Sequence, residues 1–457
     1  MKILIINSPL FREYNPLYDE DSLPPIGLGY IATHLQNNGM DVTLIDAIDQ
    51  RIPLAALIDQ IIAIRPAVIA SNVFTTNCEL VKDMIEGLDF PVHIIIGGLS
   101  TKQLYEQILE WNTANPIDVV TGDGELITLD LILGNVKDAP FKENGNKKVY
   151  RINEGSSYLV HDISNVPLNR NFFRNEPVKH PLGFHEANIV TSRGCIYSCT
   201  FCAAARNLNK DYPIREKSAA SVIEELSSIK EKFPVVNSIR VLDDLFLKRK
   251  ECVEKAIRVF SKFEFQWRSM AHVMTFKDVD DEMLRRLKES GCFELFIGIE
   301  SGSPAILKSI NKTSKVEVIL NNLSRVLAAG IHLKGYFIYG FPGETEADMQ
   351  MTFDLASKLK EISIQHDVNF RTSVFQYRPY HGTQIYHDLQ AKGANLEVKA
   401  VQPNPELSDL VGRLQFNFHS GNYSAVDNQV VHDYICRTTN LNGGKIFSDL
   451  NPNAEFV

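Results

Sequence analysis

Short apolar runs alternate with longer amphipathic stretches along most of the chain. Over residues 1–135 the pattern predicts strands at Lys2–Ile6, Asp41–Ile45, Ala67–Ser71, Val92–Ile96 and Asp118–Val120. Between them it predicts helices at Gly27–Asn38, Leu54–Ile64, Asn77–Gly87, Thr101–Trp111 and Glu125–Leu133. Strands separated by single helices build a parallel sheet wound on both faces, so this part reads as a Rossmann-like α/β domain. Ligands of such sheets bind beyond the carboxyl ends of the strands. The loops there are Asn7-Ser8-Pro9, Ser71-Asn72 and the residues to Thr76, Gly97-Gly98-Leu99-Ser100, and Thr121-Gly122-Asp123-Gly124-Glu125. Glycine lets backbone approach a ligand, and small polar side chains can bond to it. Gly97-Gly98 serves equally well as a tight strand-to-helix turn.

Residues 136–184 are punctuated by Pro, Gly and Asn without a sustained period and read as a linker, either a mobile hinge or a packed connector. The alternation resumes over 185–390. Strands are expected at Ala187–Val190, Ser238–Leu242, Gln266–Met270, Glu294–Ile299, His332–Tyr339 and Asn369–Gln376. Helices are expected at Ser218–Lys232, Arg249–Phe263, Asp280–Ser290, Lys315–Ala329 and Thr345–Lys360. Six such units suit a partial (β/α)6 barrel of TIM type, with functional residues at the strands' carboxyl ends. Residues 391–457 form a C-terminal segment. Its Arg413, Phe416, Phe418, His419, Tyr423, His432, Tyr434, Cys436 and Arg437 suit either a substrate cap or a helix pair packed on the barrel.

The 457 residues are 44% hydrophobic and 23% charged, enough for two or three packed domains of a soluble protein. A formal net charge of −9 with no long basic run argues against a nucleic-acid surface, so a small-molecule substrate is expected. The first apolar run is too short for a signal peptide and no run approaches a membrane span, which points to the cytoplasm. Seven cysteines, an odd number, suit a reducing compartment better than a disulfide framework.

Three of those cysteines, Cys195, Cys199 and Cys202, stand at C-x3-C-x2-C spacing on the loop after the first barrel strand, with Phe201 directly before the last. Close thiolates converge on one soft-metal centre, either zinc or an iron–sulfur cluster. Structural zinc wants four ligands, and no second C-x-x-C or nearby H-x3-H accompanies this trio. Three unrelated buried thiols are the remaining reading.

This motif resembles that of the radical S-adenosylmethionine (SAM) family. The resemblance implies a [4Fe-4S] cluster on Cys195, Cys199 and Cys202, with SAM chelating the fourth iron through its amino and carboxylate groups. Reductive cleavage of SAM then gives a 5′-deoxyadenosyl radical, with the electron from a donor such as flavodoxin or ferredoxin. Further strand ends fit the pattern. Asp243, in Asp243-Asp244, is implied to hold the SAM ammonium, although one of the two could simply cap the next helix and Asp244 could serve either purpose. Glu300 and Ser301, in Gly298-Ile299-Glu300-Ser301-Gly302-Ser303, are implied to contact ribose or carboxylate, with capping by Ser303 as the other reading. Gly340-Phe341-Pro342-Gly343-Glu344-Thr345 matches a G-F-P-G-E-T segment, implying that Gly340 lies beside the adenine; Phe201 is likewise counted among the SAM contacts.

Pro24–Ala32, Ile94–Gly98 and Gly122-Asp123-Gly124-Glu125 resemble the N-terminal domain of the cobalamin-dependent subfamily. They imply cobalamin near Ser71, Asn72, Gly97, Gly98, Gly122 and Glu125. No His follows the first strand in a D-x-H-x-x-G pattern, so a bound cobalamin would have no protein histidine on cobalt, and the missing ligand also leaves room for a domain that keeps the fold and has lost the cofactor. His272 stands where relatives often carry Arg, and Tyr380-His381 falls where a P-x-P-G-T segment is usual; all three are candidate substrate contacts, with a structural role for His272 alongside. The implied activity is C-methylation of a small metabolite, in which one SAM methylates cobalamin and a second yields the radical. Alternatives are cobalamin-independent radical oxidation, epimerisation, dehydration or rearrangement, tRNA modification, and a non-catalytic binding module.

Overall fold

In the computed structural model the described residues are 1–10, 23–179, 183–312, 315–396, 399–400, 418–419 and 421–443. The first half holds β1 (Lys2–Asn7), α1 (Ile26–Asn37), β2 (Asp41–Asp46), α2 (Leu54–Ile64), β3 (Val68–Asn72), α3 (Cys78–Glu86), β4 (His93–Gly97), α4 (Thr101–Leu109), β5 (Ile117–Thr121) and α5 (Glu125–Leu133). Every predicted element is present, within two residues at each boundary. β1 and β3 to β5 are buried along nearly their whole length, as a sheet covered on both faces requires. Two apolar clusters confirm this: Leu4, Ile69, Ile94 and Val119 pack on one face, Ile3, Ala70, Ile95 and Val120 on the other.

The sheet does not stop at residue 135. A hairpin of β6 (Lys142–Asn144) and β7 (Lys147–Arg151) adds to it, giving the order β2-β1-β3-β4-β5-β7-β6 with β7 parallel to β5. The stretch read as linker hides this because its strands are short and lysine-rich, with only Val149 and Tyr150 deeply buried as apolar anchors. Further on, Ser164 bonds Ser218 and Ser221, so the connector is packed against the barrel rather than loose.

The second half holds β8 (Val178–Lys179), β9 (His185–Ile189), β10 (Ser192–Arg193), β11 (Arg215–Glu216), α6 (Ala219–Lys232), β12 (Ser238–Val241), α7 (Lys250–Phe260), β13 (Gln266–Ala271), α8 (Asp281–Glu289), β14 (Cys292–Glu300), α9 (Pro304–Ser309), α10 (Val316–Ala328), β15 (His332–Tyr339), α11 (Glu346–Gln365), β16 (Phe370–Gln376), α12 (Gln384–Ala391) and α13 (Asn428–Asn440). Six parallel strands, in the order β16-β15-β14-β13-β12-β9, form the open half-barrel, with β8 antiparallel at one edge. Ala187, Ile239, Trp267, Leu295, Leu333 and Phe370 bury their side chains against the helices outside. By alternation, Val190, Leu242, Met270, Gly298, Tyr336, Ile338 and Phe375 face inward, and all are only half-buried, so the carboxyl end of the barrel is open.

α13 packs outside the barrel. Val431, Tyr434 and Ile435 join the barrel core, and Thr438 bonds Tyr339 and Thr372. This apolar stripe needs burial, so the helix-packing reading holds for Tyr434 and its neighbours and the cap reading fails there. Arg413 and Phe416 lie outside the described residues, as do the side chains of Phe418 and His419.

Candidate functional site

A cavity of about 340 Å³ opens at the carboxyl ends of β3, β4 and β5. Its wall includes all six residues expected there, Ser71, Asn72, Gly97, Gly98, Gly122 and Glu125. Val190 and Arg193 of the second half complete it, so the cavity lies between the two domains. Ser71 is fixed by a 3.0 Å bond to the Ile6 carbonyl. Asn72 donates to Asn7 at 3.0 Å, while its own side-chain oxygen is buried with no partner among the described residues. A Cβ on Gly27 or Gly97 would meet nothing within 4 Å, so both glycines leave room that a side chain would fill. Gly122, at φ 110°, is required for another reason: a Cβ there would collide with the Ile152 carbonyl and the Tyr212 ring. An unpartnered acceptor and a glycine-lined hollow fit an amide-fringed planar cofactor such as cobalamin.

Arg193 joins the domains. It donates to Asp123 at 2.9 Å and Glu125 at 2.5 Å, and its guanidinium lies 5.6 Å from the Tyr30 ring centre. Lys217 reaches the Tyr30 hydroxyl at 3.3 Å and Glu225 at 2.7 Å. Glu125 is therefore an interdomain ion-pair partner as well as a cavity residue. Burial alone would raise the Asp123 carboxyl, but the bond from Arg215 and the charges of Arg193 and Arg215 together hold it below the usual range.

Two residues beyond Arg193 the cysteine loop begins. Cys195, Cys199 and Cys202 are free and half-buried. Burial raises all three thiols, Cys202 to about 12, while Lys312 opposes the rise at Cys195 and Cys199. Among the described residues no group of three or more His, Cys, Asp or Glu side chains stands in ligating geometry. The donor set itself, three thiols on one well-anchored loop, fits an iron–sulfur cluster, whose binding would remove those protons. The anchors are many. The Ile310 carbonyl takes the Thr200 amide at 3.1 Å, Asn311 donates to the Ser198 carbonyl at 2.7 Å, and the Tyr197 carbonyl takes the Arg206 amide at 2.7 Å. Phe201 meets Phe341 edge to face at 5.6 Å, which ties the loop to the Gly340–Glu344 turn rather than leaving Phe201 open.

The acidic pair after β12 divides its work. Asp243 is buried and accepts from the Thr191 amide at 2.6 Å, the Thr191 hydroxyl at 2.7 Å and the Ser192 hydroxyl at 2.6 Å. Its carboxylate fixes the start of the cysteine loop and is spent there. Asp244 accepts the Gly194 amide at 2.9 Å and is exposed. Asp244, not Asp243, is the carboxylate open to a ligand.

Glu300 closes β14 with a bulge and a left-handed backbone at φ 67°, an uncommon state for a non-glycine residue that concentrates at functional sites. Lys312 donates to it at 3.0 Å from a nearly dry position. Burial lowers the Lys312 ammonium, but Glu300, Cys199 and Cys202 raise it more. Ser301 is wholly buried and shares a 3.0 Å bond with Thr352, so it holds α11 and offers no hydroxyl to a ligand. Ser303 caps α9. Gly340 turns at φ 88° with its amide held by Glu344 at 2.6 Å.

His272 lies under the cysteine loop, its ring stacked on Tyr197 at 3.8 Å. Its Nδ1 accepts the Met274 amide at 3.2 Å, and burial with the nearby Lys312 lowers it to about 3, so it is neutral. His381 bonds Thr75 of the first domain at 3.2 Å and is thus an interdomain contact, while neither Tyr380 nor His381 lines the cavity. The sequence reading missed Lys312, for which the only signal was a lone lysine twelve positions after Glu300. It also passed over Arg193 and Asp123, which stood inside quoted motifs without a role.

A family model for the radical SAM superfamily matches residues 189–356, and one for the B12 binding domain matches residues 20–132. An uncharacterised methyltransferase of Pyrococcus horikoshii is 26% identical over 84% of this chain and 82% of its own. The cytidylyl-2-hydroxyethylphosphonate methyltransferase of Streptomyces wedmorensis is 23% identical over 78% of this chain and 77% of its own. Among solved structures, the cobalamin-dependent SAM radical enzyme OxsB, with aqua-cobalamin and SAM bound, aligns at TM-score 0.64 and 17% identity. That alignment covers 95% of this chain, which spans 65% of OxsB. The radical SAM methyltransferase TsrM of Kitasatospora setae aligns at 0.61 and 16% identity, covering 88% of this chain and 77% of its own. These likenesses concern the fold. With the cysteine loop at the open end of the half-barrel and the hollow between the domains, the two family matches identify the parts: the chain carries a B12-binding domain followed by a radical SAM domain.

Proposed function

We propose that this enzyme transfers a methyl group to carbon of a small metabolite or natural-product intermediate, using SAM, a [4Fe-4S] cluster and cobalamin. The observation that carries this reading is the shared cavity: its wall includes both the Gly97 and Gly122 loops and Arg193, two residues from Cys195. A group held there lies against the domain that cleaves SAM. When bound, the cluster supplies the electron for SAM cleavage and cobalamin supplies a transferable methyl group.

The chain's own residues do the rest. Cys195, Cys199 and Cys202 hold the cluster, Lys312 and Glu300 present a cation and a carboxylate beside it, and Asp244 offers an exposed carboxylate to the SAM ammonium. The open barrel end, lined by Met270, Tyr336, Ile338 and Phe375, receives a largely apolar substrate surface. An electron donor such as flavodoxin or ferredoxin, and work in the cytoplasm, belong to the same reading.

The test is incubation of the reconstituted enzyme with SAM, reductant and hydroxocobalamin, followed by mass spectrometry. 5′-Deoxyadenosine together with a methylated product supports the proposal. Cluster-loaded enzyme that releases no 5′-deoxyadenosine contradicts it.

A further inference from the structure

The loop that carries the three cysteines is closed at its neck by β10 and β11, where Arg193 and Arg215 are register partners. Both guanidiniums reach one carboxylate of the other domain. Asp123 accepts from Arg193 at 2.9 Å, from Arg215 through both terminal nitrogens, and from the Val160 amide at 3.2 Å. The same turn, with α4, holds the loop's far end. Tyr212 donates to Thr121 at 3.2 Å and packs where Gly122 leaves room, and Lys102 pairs with Asp211. Gly122, Asp123, Gly124, Glu125 and Arg193 also line the interdomain cavity. One short turn is thus both a wall of the cavity and the clamp on the neck of the cysteine loop.

We propose that Asp123 is a positioning residue through which cobalamin in the cavity and the cluster on the cysteine loop order one another. A loop whose neck is open must lose more conformational freedom before three thiolates meet at one cluster. A ligand seated against the Thr121–Glu125 turn holds that neck shut. By linkage, the cluster must tighten the cavity's ligand by the same factor. The inference rests on the reading that the cavity takes cobalamin.

The test uses the full chain, prepared anaerobically with and without a reconstituted cluster. Hydroxocobalamin affinity is read by absorbance titration, and amide hydrogen exchange is followed over residues 194–214. In the wild type the cluster tightens hydroxocobalamin at least about five-fold, the low end of ordinary coupling between sites. Hydroxocobalamin also slows exchange in the loop. In Asp123→Asn or Arg215→Gln the ratio falls below about two-fold, and the double variant loses no more than Asp123→Asn alone, because that change already removes the partner of Arg215.

Equal affinity with and without the cluster in the wild type overturns the proposal without recourse to any variant. Wild-type coupling in a folded Asp123→Asn protein overturns it too. Hydroxocobalamin that binds neither form overturns the cavity reading and the coupling together, whereas binding without coupling overturns the coupling alone.

Discussion

The Tyr197 ring lies flat on the His272 imidazole, with centroids 3.8 Å apart and planes 20° from parallel. Tyr197 stands between Cys195 and Cys199, so the histidine is a floor under the cysteine loop. His272→Ala removes that floor and lowers stability by about 2 kcal/mol through lost burial and ring contact. It also lowers the iron retained after desalting. His272→Phe keeps a ring and holds near wild-type iron. Equal iron in the alanine variant would show that the stack does not position the loop.

Gly97 ends β4 at the cavity wall, and a Cβ added to it would have nothing within 4 Å. Gly97→Leu therefore fills the hollow without colliding with the fold. Hydroxocobalamin binding weakens at least about ten-fold, a loss of about 1.4 kcal/mol or more. Iron content is unchanged. Unaltered cobalamin affinity in this variant would place the cofactor elsewhere.

Glu344 is fully buried; one carboxylate oxygen accepts the Gly340 and Phe341 amides, and the other has no partner among the described residues. Burial pushes the carboxyl from 4.5 up to about 8. A group whose folded value is raised holds its proton more tightly in the folded state. Its stabilising contribution is full below pH 4.5 and is lost as pH rises to about 8. The slope in that window reaches about 1.4 kcal/mol per pH unit. Glu344→Gln keeps the acceptor and stays neutral, so denaturant melts across this window show the wild type falling relative to the variant. Parallel profiles would mean that Glu344 is ionised in the fold.

Strand and helix positions were legible because apolar runs and amphipathic stretches follow burial directly, as in β1 and α2, whose faces are set by Ile3, Ile5, Leu57 and Ile61. The β6–β7 hairpin was not legible, since lysines hide its two apolar anchors. The cysteine loop and the glycine-rich loops were readable because ligand spacing and cradle residues are local. The division between Asp243 and Asp244 was not. Adjacent residues point opposite ways, and only the fold shows that Thr191 and Ser192 consume the first carboxylate. Asp123 and Arg193 draw their roles from partners far along the chain, which no spacing encodes.

The central claim is that one chain holds a cluster on the cysteine loop and cobalamin in the interdomain cavity. The most direct measurement is anaerobic reconstitution with iron, sulfide and hydroxocobalamin, then desalting and a count of iron and cobalt per chain. The account predicts about four irons, one cluster's load, with one cobalt. Replacing Cys195, Cys199 or Cys202 by Ala should remove the iron and SAM cleavage together, while changes at the core cysteines Cys252 and Cys292 remove neither. Iron retained by the Cys199→Ala protein, or no cobalt on a fully iron-loaded wild type, would contradict it.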